Sequence, residues 1–421
     1  MSKNPEQHFF DIAVIGGGAT GMMAAFWASQ KGARVVLIEK NERLGRKVSM
    51  TGKGRCNITQ ENFTKETLVN ALGRKGRFLF SALHKFDVKK TKDFFEKSGI
   101  KLKTERGGRV FPQSDSAEEI IDTFRKMLTK NGVVLMRKSK IKSFEIKDSK
   151  IEKIITRKTE VIARQYIICT GGKSYPITGS TGDGYQWAKK FGHRIITPTP
   201  ALTPIKTIND WATELQGVSL RNVRLSVFQN NKKQTDRFGE MLFTHFGISG
   251  PIVLDVSYEI GKLLKKDRVK ISIDLKPALE FKELDQRIQK DFEKYHNRKF
   301  INALDDLLPQ KMIPTIVKIS KIDPDKKTNE ISKEDRKKLT ALLKDLVLNV
   351  DELVGFKNAI VTKGGINLRE INPNTMQSRK IDNLYFAGEI LDLNGPTGGY
   401  NLQICWTTGY VAGISASQNS L

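Results

Sequence analysis

The stretch IAVIGGGATGMMAAFWASQKGARVVLIEK, residues 12–40, decides the fold. It opens with a short apolar run at 12–15, continues with small residues at helical spacing, and ends with a second apolar run at 34–39. Short apolar runs predict buried strands, and the helical spacing between them predicts a helix over 19–30. The chain therefore begins with a strand–helix–strand unit, the usual start of a parallel α/β sheet.

The glycines at the first junction of that unit fit the GxGxxG turn. Gly16 permits a tight turn, Gly18 lets the backbone approach a pyrophosphate, and Gly21 lets helix and strand pack closely. The helix N-terminus presents free N–H groups to phosphate. Glu39 ends the second strand, eighteen residues after Gly21, where an acid accepts hydrogen bonds from the ribose of an unphosphorylated adenosine. The turn therefore predicts a site for NAD or FAD.

A second strand–turn–helix follows in LYFAGEILDLNGPTGGYNL, residues 384–402. The strand runs into Gly388 and Glu389, and a Gly-rich turn opens a helix at about Tyr400. A carboxylate at such a strand end can hold ribityl hydroxyls, and a helix N-terminus can face the edge of a flavin ring that becomes negative on reduction. This pattern favours FAD, the alternative being an ordinary glycine-capped turn.

The composition is that of a globular protein. Of the 421 residues, 38% are hydrophobic and 28% charged, which allows two to three domains. Three cysteines without CxxC or zinc spacing favour a reducing compartment and predict no metal site. The uncharged run at 12–30 is long enough to span a bilayer, but its glycines and the Asp11 before it argue against a membrane or secretory segment. We therefore predict a cytoplasmic protein with no membrane partner.

The residue pattern changes along the chain and divides it into domains. Residues 200–276 are strand-like and rich in turns, 279–347 carry apolar stripes at helical spacing, and a buried strand returns at 384–387. This predicts a nucleotide-binding domain split between 1–195 and 356–421, with a substrate domain inserted at 196–355. Within the first part, residues 78–98 look helical, with apolar residues at helical spacing between Phe78 and Phe86.

Longer motifs resemble one protein family over nearly the whole chain. They are GGGATG from Gly16, GRKVSMTGKGRCNIT from Gly45, GRVFPQSDSAEEI from Gly108, CTGGKSYPITGSTGDGY from Cys169, GEMLFTHFGISGP from Gly239 and YFAGEILDLNGPTGGYNLQ from Tyr385. These stretches are similar to the bacterial BaiN/YhiN-type NAD(P)/FAD-dependent oxidoreductases, a group that includes aminoacetone oxidase-like flavoproteins. The resemblance implies an α/β fold: an FAD-binding Rossmann-like domain of the glutathione reductase type. Its insert would combine a β-barrel, at about 196–276 and 348–355, with a helical part at about 277–347.

The same motifs imply which residues contact FAD. They are Gly16, Gly18, Ala19, Thr20 and Gly21 at the pyrophosphate, Glu39 and Lys40 at the adenosine end, Lys47, Arg55 and Asn57 in the Gly-rich loop, Val134 beside adenine through its backbone, Thr170 and Gly171 at a strand end, and Gly388, Glu389, Asn401 and Leu402 at the ribityl and flavin. For Lys47 and Arg55 the alternative is a solvated basic loop, because backbone groups can make the phosphate contacts.

Proton donors are the candidates for catalysis, because bound FAD would carry the electron chemistry. His245 and Thr244 put polar groups into the otherwise apolar stretch 242–251 of the insert, and we expect them to face substrate. A hydrogen-bonded turn is the alternative for this stretch. Tyr400, at the start of the last helix, is the third candidate, whereas Cys56 is interpreted as a small packing residue.

Three functional hypotheses remain. The first is an FAD enzyme that acts on a small or steroid-like molecule, by NAD(P)H-linked reduction or by oxygen-linked oxidation, as the resemblance implies. No second GxGxxG occurs, so NAD(P)H would be a transient reductant that docks beside the flavin. The second is an FAD-dependent RNA-binding or tRNA-modifying flavoprotein, which the net charge of +26 suggests. The third is a flavin-binding protein without catalysis.

The distribution of charge favours a small-molecule partner over nucleic acid. Residues 351–421 hold five Lys/Arg and six Asp/Glu, so the excess positive charge lies in the first 350 residues. Acids interrupt the basic runs there, as at 87–93 and 334–338. The charge is therefore interpreted mainly as solvated surface, with a smaller share that attracts the phosphates of FAD and NAD(P)H. The sequence leaves the oligomeric state undetermined.

Overall fold

The computed structural model describes residues 6–105 and 107–420. The chain divides into two compact units: unit 1 comprises Met1–Pro200 with Ile360–Leu421, and unit 2 comprises Ala201–Ala359. The assignment of the second unit to substrate binding stays a prediction.

The strands follow in chain order. They are β1 (Glu6–Ile15), β2 (Val35–Ile38), β3 (Thr59–Gln60), β4 (Leu102–Glu105), β5 (Arg109–Pro112), β6 (Val134–Met136), β7 (Ser143–Lys147), β8 (Lys150–Ile155), β9 (Thr159–Ile168), β10 (Ile195–Ala201), β11 (Ile205–Thr207), β12 (Ser219–Gln229), β13 (Lys232–Thr244), β14 (Gly247–Ser249), β15 (Lys270–Asp274), β16 (Leu346–Leu353), β17 (Val361–Ile366) and β18 (Leu384–Phe386).

The α-helices are named in the same way. They are α1 (Ala19–Ser29), α2 (Lys65–Ala71), α3 (Phe80–Lys85), α4 (Val88–Lys97), α5 (Ala117–Lys130), α6 (Asp183–Lys190), α7 (Asp210–Glu214), α8 (Pro251–Leu263), α9 (Phe281–Lys294), α10 (Ile313–Ser320), α11 (Lys333–Lys344) and α12 (Tyr400–Gln418).

The main sheet of unit 1 has the order β6-β2-β1-β9-β8-β7, and β18 also pairs with β9. The pairs of β1 with β2, β1 with β9, β2 with β6 and β9 with β18 are all parallel. Strands β7 to β9 form an antiparallel meander. The carboxyl ends of the parallel strands meet at one edge, which is where open α/β sheets bind ligands. This confirms the predicted α/β, Rossmann-like fold.

Helices α1 and α12 pack at very short distance because small residues line their contact. A Cβ atom on Gly409 would lie 2.7 Å from the carbonyl oxygen of Thr20, and one on Gly413 would overlap the backbone of Ala24. A larger residue at either glycine would push the helices apart. The contact fixes the first helix of the chain against the last one.

Unit 2 contains a closed barrel in the order β11-β14-β13-β12-β15-β16, with an apolar core of its own and helices α7–α11. Helix α8 lies inside the stretch 200–276 that the sequence pattern presented as strand-like. Its buried residues Ile252, Val256 and Ile260 have helical spacing. Pro251 at the first helical position is a favourable helix start, although the Gly-Pro pair reads as a turn.

The prediction that residues 78–98 are helical is confirmed, apart from a break between the two halves of the stretch. Two helices, α3 and α4, occupy this region, and Phe86 between them is extended with φ −147°. The side chain of Asp87 accepts a hydrogen bond from the backbone N–H of Lys90 at 2.9 Å and caps α4. This cap begins a second helix directly after the break.

None of the helices in the described part of the chain is long and apolar enough to cross a membrane.

Candidate functional site

The glycine turn between β1 and α1 combines tight packing with one open position. A Cβ on Gly16, whose φ is +104°, would lie 2.6 Å from the carbonyl oxygen of Cys169, and one on Gly21 would overlap the carbonyl of Gly16. A Cβ on Gly18 would meet nothing within 4 Å. Helix α1, which begins at Ala19, has no side-chain cap and no acid in its first turn. Its free N–H groups can therefore hold an anion.

Glu39 lies at the end of β2 beside this turn. Its Oε2 accepts a hydrogen bond from the backbone N–H of Gly17 at 2.7 Å, and its Oε1 accepts from the backbone N–H of Asn41 at 2.7 Å. The carboxylate is thereby fixed at the carboxyl edge of the sheet. Oε2 keeps a second acceptor position, as a ribose hydroxyl would need.

Lys40 lies two residues after β2, and Val134 begins β6, the strand that pairs with β2. The Lys40 ammonium pairs with Asp183 at 2.7 Å, at the start of α6. Val134 lies in the edge strand β6, opposite Val36 of β2. Its backbone contact with adenine stays a prediction.

The ends of β9 and β18 converge on the glycine turn. A Cβ on Gly388, whose φ is +81°, would overlap the Thr20 side chain, and the Gly388 N–H donates to Thr408 Oγ1 at 2.9 Å. At the end of β9, Thr170 Oγ1 is buried and has no hydrogen-bond partner among the described residues. A buried hydroxyl without a partner costs about 1–3 kcal/mol unless a ligand satisfies it.

Lys47 and Glu389 form an ion pair at 2.8 Å although 342 positions separate them in the chain. Glu389 Oε1 also accepts hydrogen bonds from Ser174 Oγ at 2.9 Å and from the backbone N–H of Thr362 at 2.7 Å. Lys47 donates in turn to Ser174 Oγ at 3.0 Å. A Cβ on Gly171 would lie 3.9 Å from Glu389 Oε2, so the network adjoins the end of β9.

The sequence prediction named two members of this network and missed Ser174 and Thr362. Ser174 lies within the stretch CTGGKSYP, and Thr362 opens the stretch TKGG at 362–365. The paired glycines of the second stretch were the available signal. A Cβ on Gly364 would lie 2.5 Å from the carbonyl oxygen of Thr197, so backbone packs closely there.

The turn that leads into α12 is held by two asparagines. Asn401 accepts a hydrogen bond from the Gly395 N–H at 2.9 Å and donates to the Gly395 carbonyl at 3.0 Å. In the amide orientation that gives both its nitrogen and its oxygen hydrogen-bond partners, Asn57 accepts a hydrogen bond from the Gly399 N–H at 3.1 Å. Helix α12, in which Leu402 lies in the first turn, has Gly399 as N-cap and no side-chain cap. This is a second uncapped helix N-terminus.

Arg55 and Tyr400 have partners of their own. Arg55 pairs with Glu105 at 2.7 Å and lies 4.1 Å from the centre of the Phe111 ring. The Tyr400 ring packs on Phe63, with ring centres 4.1 Å apart. A cofactor role for Arg55 and a catalytic role for Tyr400 stay predictions.

His245 and Thr244 lie in unit 2, at the turn between β13 and β14. His245 is exposed, and its ring lies 4.8 Å from the ring of Phe246. Thr244 Oγ1 accepts a hydrogen bond from the Phe246 N–H at 3.5 Å. The structure thus has a locally bonded turn here, and contact with substrate stays a prediction.

Cys56 and Cys169 are buried, and Cys405 is partly buried. Burial raises the pKa of Cys56 to about 12 and that of Cys405 to about 11. A thiol with so high a pKa is a poor nucleophile at neutral pH. Among the described residues, no group of three or more His, Cys, Asp and Glu side chains could hold a metal ion.

These features of unit 1 fit FAD. An extended diphosphate cofactor needs anion-binding N–H groups, a ribose acceptor and further polar groups along its length. The open position at Gly18, the Glu39 carboxylate and the unpartnered Thr170 hydroxyl meet these needs. Helix α12 contacts the turn Gly388–Ile390, which carries Glu389.

Two relatives whose names state an activity align with nearly the whole chain. A 3-dehydro-bile acid delta(4,6)-reductase of Clostridium scindens is 30% identical over 410 residues, which are 97% of this chain and 99% of the relative. A ribosomal RNA dihydrouridine synthase of Escherichia coli strain K12 is 31% identical, over 95% of this chain and 96% of the relative.

Solved structures share the fold at low identity. A 3-ketosteroid-Δ4-(5α)-dehydrogenase of Rhodococcus jostii superposes with a TM-score of 0.57 at 14% identity, covering 99% of this chain and 98% of that one. A flavocytochrome c3 fumarate reductase superposes with a TM-score of 0.55 at 15% identity, covering 98% and 79%. The family HI0933-like protein Rossmann domain matches residues 10–415. The chain therefore belongs to the HI0933-like family, and it is an FAD-dependent oxidoreductase.

Proposed function

We propose that the protein uses FAD to reduce a carbon–carbon double bond conjugated to a carbonyl group. The observation that carries the proposal is the row of groups at the carboxyl edge of the unit 1 sheet, from the glycine turn at 16–21 and Glu39 through Thr170 to the Lys47–Glu389 pair. We call this row the cradle. Two relatives of the chain bear names that have this chemistry in common. A 3-dehydro-bile acid with delta(4,6) unsaturation has a ring double bond conjugated to its ketone. Dihydrouridine is uridine whose ring double bond, also conjugated to a carbonyl, has gained two hydrogens.

Different residues of the chain would bind different parts of the cofactor. Bound FAD would supply the hydride. The N–H groups at the start of α1 would hold the pyrophosphate, and Glu39 the adenosine ribose. The Lys47 ammonium and the start of α12 would bring positive charge to the end of the site where a reduced flavin ring is negative. Glu389, together with Ser174, would hold Lys47 in place.

A proton must reach the substrate carbon that does not receive the hydride. Tyr400, at the start of α12, is the donor that we place in unit 1, while His245 and Thr244 of unit 2 would line the substrate. Tyr400→Phe should lower kcat by about a hundredfold and leave FAD affinity unchanged, as expected for loss of a general acid. Matched variants His245→Gln and Thr244→Val would test the unit 2 residues in the same assay. A kcat equal to that of the wild-type protein in all three variants would exclude these three residues from catalysis.

The first candidate substrate is a small steroid-like enone. The test mixes the flavin-loaded protein anaerobically with NADPH or NADH, then with 4-androstene-3,17-dione as probe, and follows flavin absorbance by stopped flow. We expect bleaching by one nicotinamide and recovery on addition of the enone, with a product that has gained two hydrogens by mass spectrometry. If the flavin is bleached but neither this enone nor a uracil base in RNA restores its absorbance, the reductase proposal is contradicted.

The second candidate substrate is a uracil base in RNA. Acids interrupt the basic runs of the sequence, but the excess positive charge is concentrated in unit 1, and this concentration supports the second candidate. The segments of unit 1 hold 43 Lys/Arg against 23 Asp/Glu, a net charge of +20, whereas unit 2 holds 29 against 23, a net of +6. RNA phosphates bind such surfaces by releasing counterions. The test incubates the reduced protein with ribosomal RNA that lacks dihydrouridine and measures dihydrouridine in nuclease digests by mass spectrometry. Formation of dihydrouridine would establish this substrate, and its absence beside steroid turnover would establish the first one.

A further inference from the structure

A helical segment of unit 1 carries positive charge without acids. Residues 67–86 run through most of α2, a 3-10 helix at Gly73–Leu79, and α3, and these three elements pack together. The segment contains four Lys/Arg and no Asp or Glu, with acids only at its flanks, at Glu66 and Asp87. We call residues 67–86 the basic segment.

Most of this charge is unneutralised. Arg74, Arg77 and Lys85 are exposed, and none of them forms an ion pair with a carboxylate in residues 6–105 or 107–420. Lys75 is the exception and pairs with Asp392. Lys85 keeps its charge but donates a hydrogen bond to the Asn374 carbonyl at 2.7 Å. The acid Glu66 lies beside Lys65 and His84, yet the exposed cations outnumber it, and a surface with such an excess attracts a polyanion.

An aromatic ring is exposed among these cations. The Phe80 side chain is 46% exposed, and its ring lies 4.9 Å from the ring of His84. The Lys65 ammonium lies 2.9 Å from His84 Nδ1, which brings one more positive charge to the ring pair. Surfaces for single-stranded nucleic acid combine such cations, which follow the phosphates, with exposed rings, on which bases stack.

The basic segment adjoins the turn that leads into α12. A Cβ on Gly395 would lie 3.3 Å from a methyl group of Leu72, at the end of α2. The Lys75–Asp392 ion pair joins the same two parts of unit 1. A strand bound along the segment would therefore run beside the turn at the flavin end of the cradle.

We propose that the basic segment is a docking surface for single-stranded RNA. Arg74, Arg77 and Lys85 would contact phosphates, and Phe80 would stack on a base. The proposal rests on the second candidate function, since it supplies the surface that would bring a uracil to the flavin. An acidic protein segment would match the cations, but it would not use the exposed ring.

The test measures binding of a fluorescein-labelled 20-nucleotide poly(U) to the FAD-loaded protein at several salt concentrations. Arg74→Gln/Arg77→Gln should weaken binding about tenfold and reduce the slope of log K against log salt by about 1.4, the value for two lost contacts to a single strand. Phe80→Ala should weaken binding about tenfold with an unchanged salt slope, because stacking releases no counterions.

The matched control is Arg157→Gln/Lys158→Gln, which removes two exposed charges from the β8–β9 turn of the same unit. It should change affinity less than twofold. Thermal melting and bound FAD should be the same in all variants, which excludes unfolding as the cause. Equal losses in the two double variants would overturn the proposal, because they would indicate general charge attraction. Competition by poly-glutamate as strong as that by unlabelled poly(U) would overturn it as well.

Failure of this surface and failure of the proposed function are distinguishable. If the protein reduces the enone or uracil but Arg74→Gln/Arg77→Gln does not change poly(U) affinity, the reductase proposal holds and the docking surface is contradicted. Conversely, site-specific poly(U) binding in a protein that reduces neither substrate would support the surface and contradict the reductase. No binding of poly(U) to the wild-type protein at low salt would overturn the surface.

Discussion

The two ends of the cradle in unit 1 differ in the groups that form them: one end is mainly backbone and the other is mainly side chains. The glycine turn before α1 consists almost entirely of backbone, with Gly16 and Gly21 in contact with main-chain atoms and Gly18 open. The end at Glu389 consists of side chains, in which Lys47 and Ser174 reach the carboxylate from distant parts of the chain. A backbone site should fail when a Cβ is added, whereas a side-chain site should fail when a charge is removed.

Gly21→Ala should have the largest effect. Its Cβ would overlap the Gly16 carbonyl, so either β1 or α1 must shift, and we expect a loss of at least about 3 kcal/mol in the free energy of unfolding, together with loss of FAD. The measurement is urea denaturation with FAD content after gel filtration.

Gly18→Ala is the matched control for this prediction. Its Cβ would meet no protein atom, and its φ of −82° suits alanine, so the free energy of unfolding should stay within about 0.5 kcal/mol. FAD affinity should nevertheless fall by at least tenfold, because the methyl group fills the space for the pyrophosphate. Equal stability losses in the two variants would contradict the division of roles among the glycines.

Glu389→Gln should have the next largest effect. It leaves the Lys47 ammonium without its counter-charge at a position where the two side chains are 22% and 15% exposed, and we expect a loss of about 2 kcal/mol. The Lys153–Glu160 pair, with side chains 22% and 12% exposed, is the matched pair in the meander of the same unit.

Glu160→Gln should destabilise the protein less, because Lys153 keeps Glu145 as a counter-charge at 3.3 Å. Only Glu389→Gln should raise the dissociation constant for FAD, by about tenfold, as measured by isothermal titration. An unchanged FAD affinity in Glu389→Gln would show that the network around Glu389 does not contribute to cofactor binding.

A buried histidine supports the side-chain end of the cradle. The His193 ring packs edge-on against Phe386 of β18, with ring centres 5.1 Å apart, and its nitrogens bond Glu370 at 3.2 Å and Ser378 at 2.9 Å. Burial lowers the pKa of His193, although Glu370 opposes the shift and Lys380 adds to it. The ring is therefore kept neutral where an exposed histidine would take up a proton.

Stability should accordingly decrease in acid. The unfolded chain binds a proton at His193 with a pKa of about 6.5, and the folded chain binds it only at lower pH. The free energy of unfolding should be level above about pH 7 and fall by up to about 1.4 kcal/mol per pH unit below 6.5, until the folded-state pKa is reached. His193→Gln should remove this part of the pH dependence in urea denaturation, whereas His245→Gln, at an exposed site, should retain it.

The same contrast explains what the sequence could predict. Gly16, Gly18, Gly21 and Glu39 lie within one short unit, so their spacing alone indicated the turn and the strand that follows it. Thr362 was missed because its N–H reaches Glu389 only after folding, and the paired glycines that follow it indicate close backbone packing but not this contact.

Local signals also competed with one another at helix boundaries. The stretch 78–98 is helical as predicted, but the extended backbone at Phe86 and the Asp87 cap divide it into α3 and α4. Pro251 after a glycine reads as a turn and instead begins α8. Periodicity identifies which face of a segment is buried, whereas caps and long-range partners decide where an element begins and ends.

Thr170→Val should have the smallest effect, and it tests whether the gap between the two ends is filled by cofactor. The buried Thr170 hydroxyl has no partner in the described part of the chain, so a methyl group of the same shape should leave the FAD-free protein as stable or more stable by up to about 1 kcal/mol. If FAD accepts or donates the missing hydrogen bond, its affinity should fall about five- to tenfold. The control is Thr408→Val, because Thr408 Oγ1 bonds Ile404 at 2.6 Å and Gly388 at 2.9 Å, so this change should destabilise the FAD-free protein. An unchanged FAD affinity in Thr170→Val would mean that the cofactor does not reach the end of β9, and that the backbone and side-chain ends bind it independently.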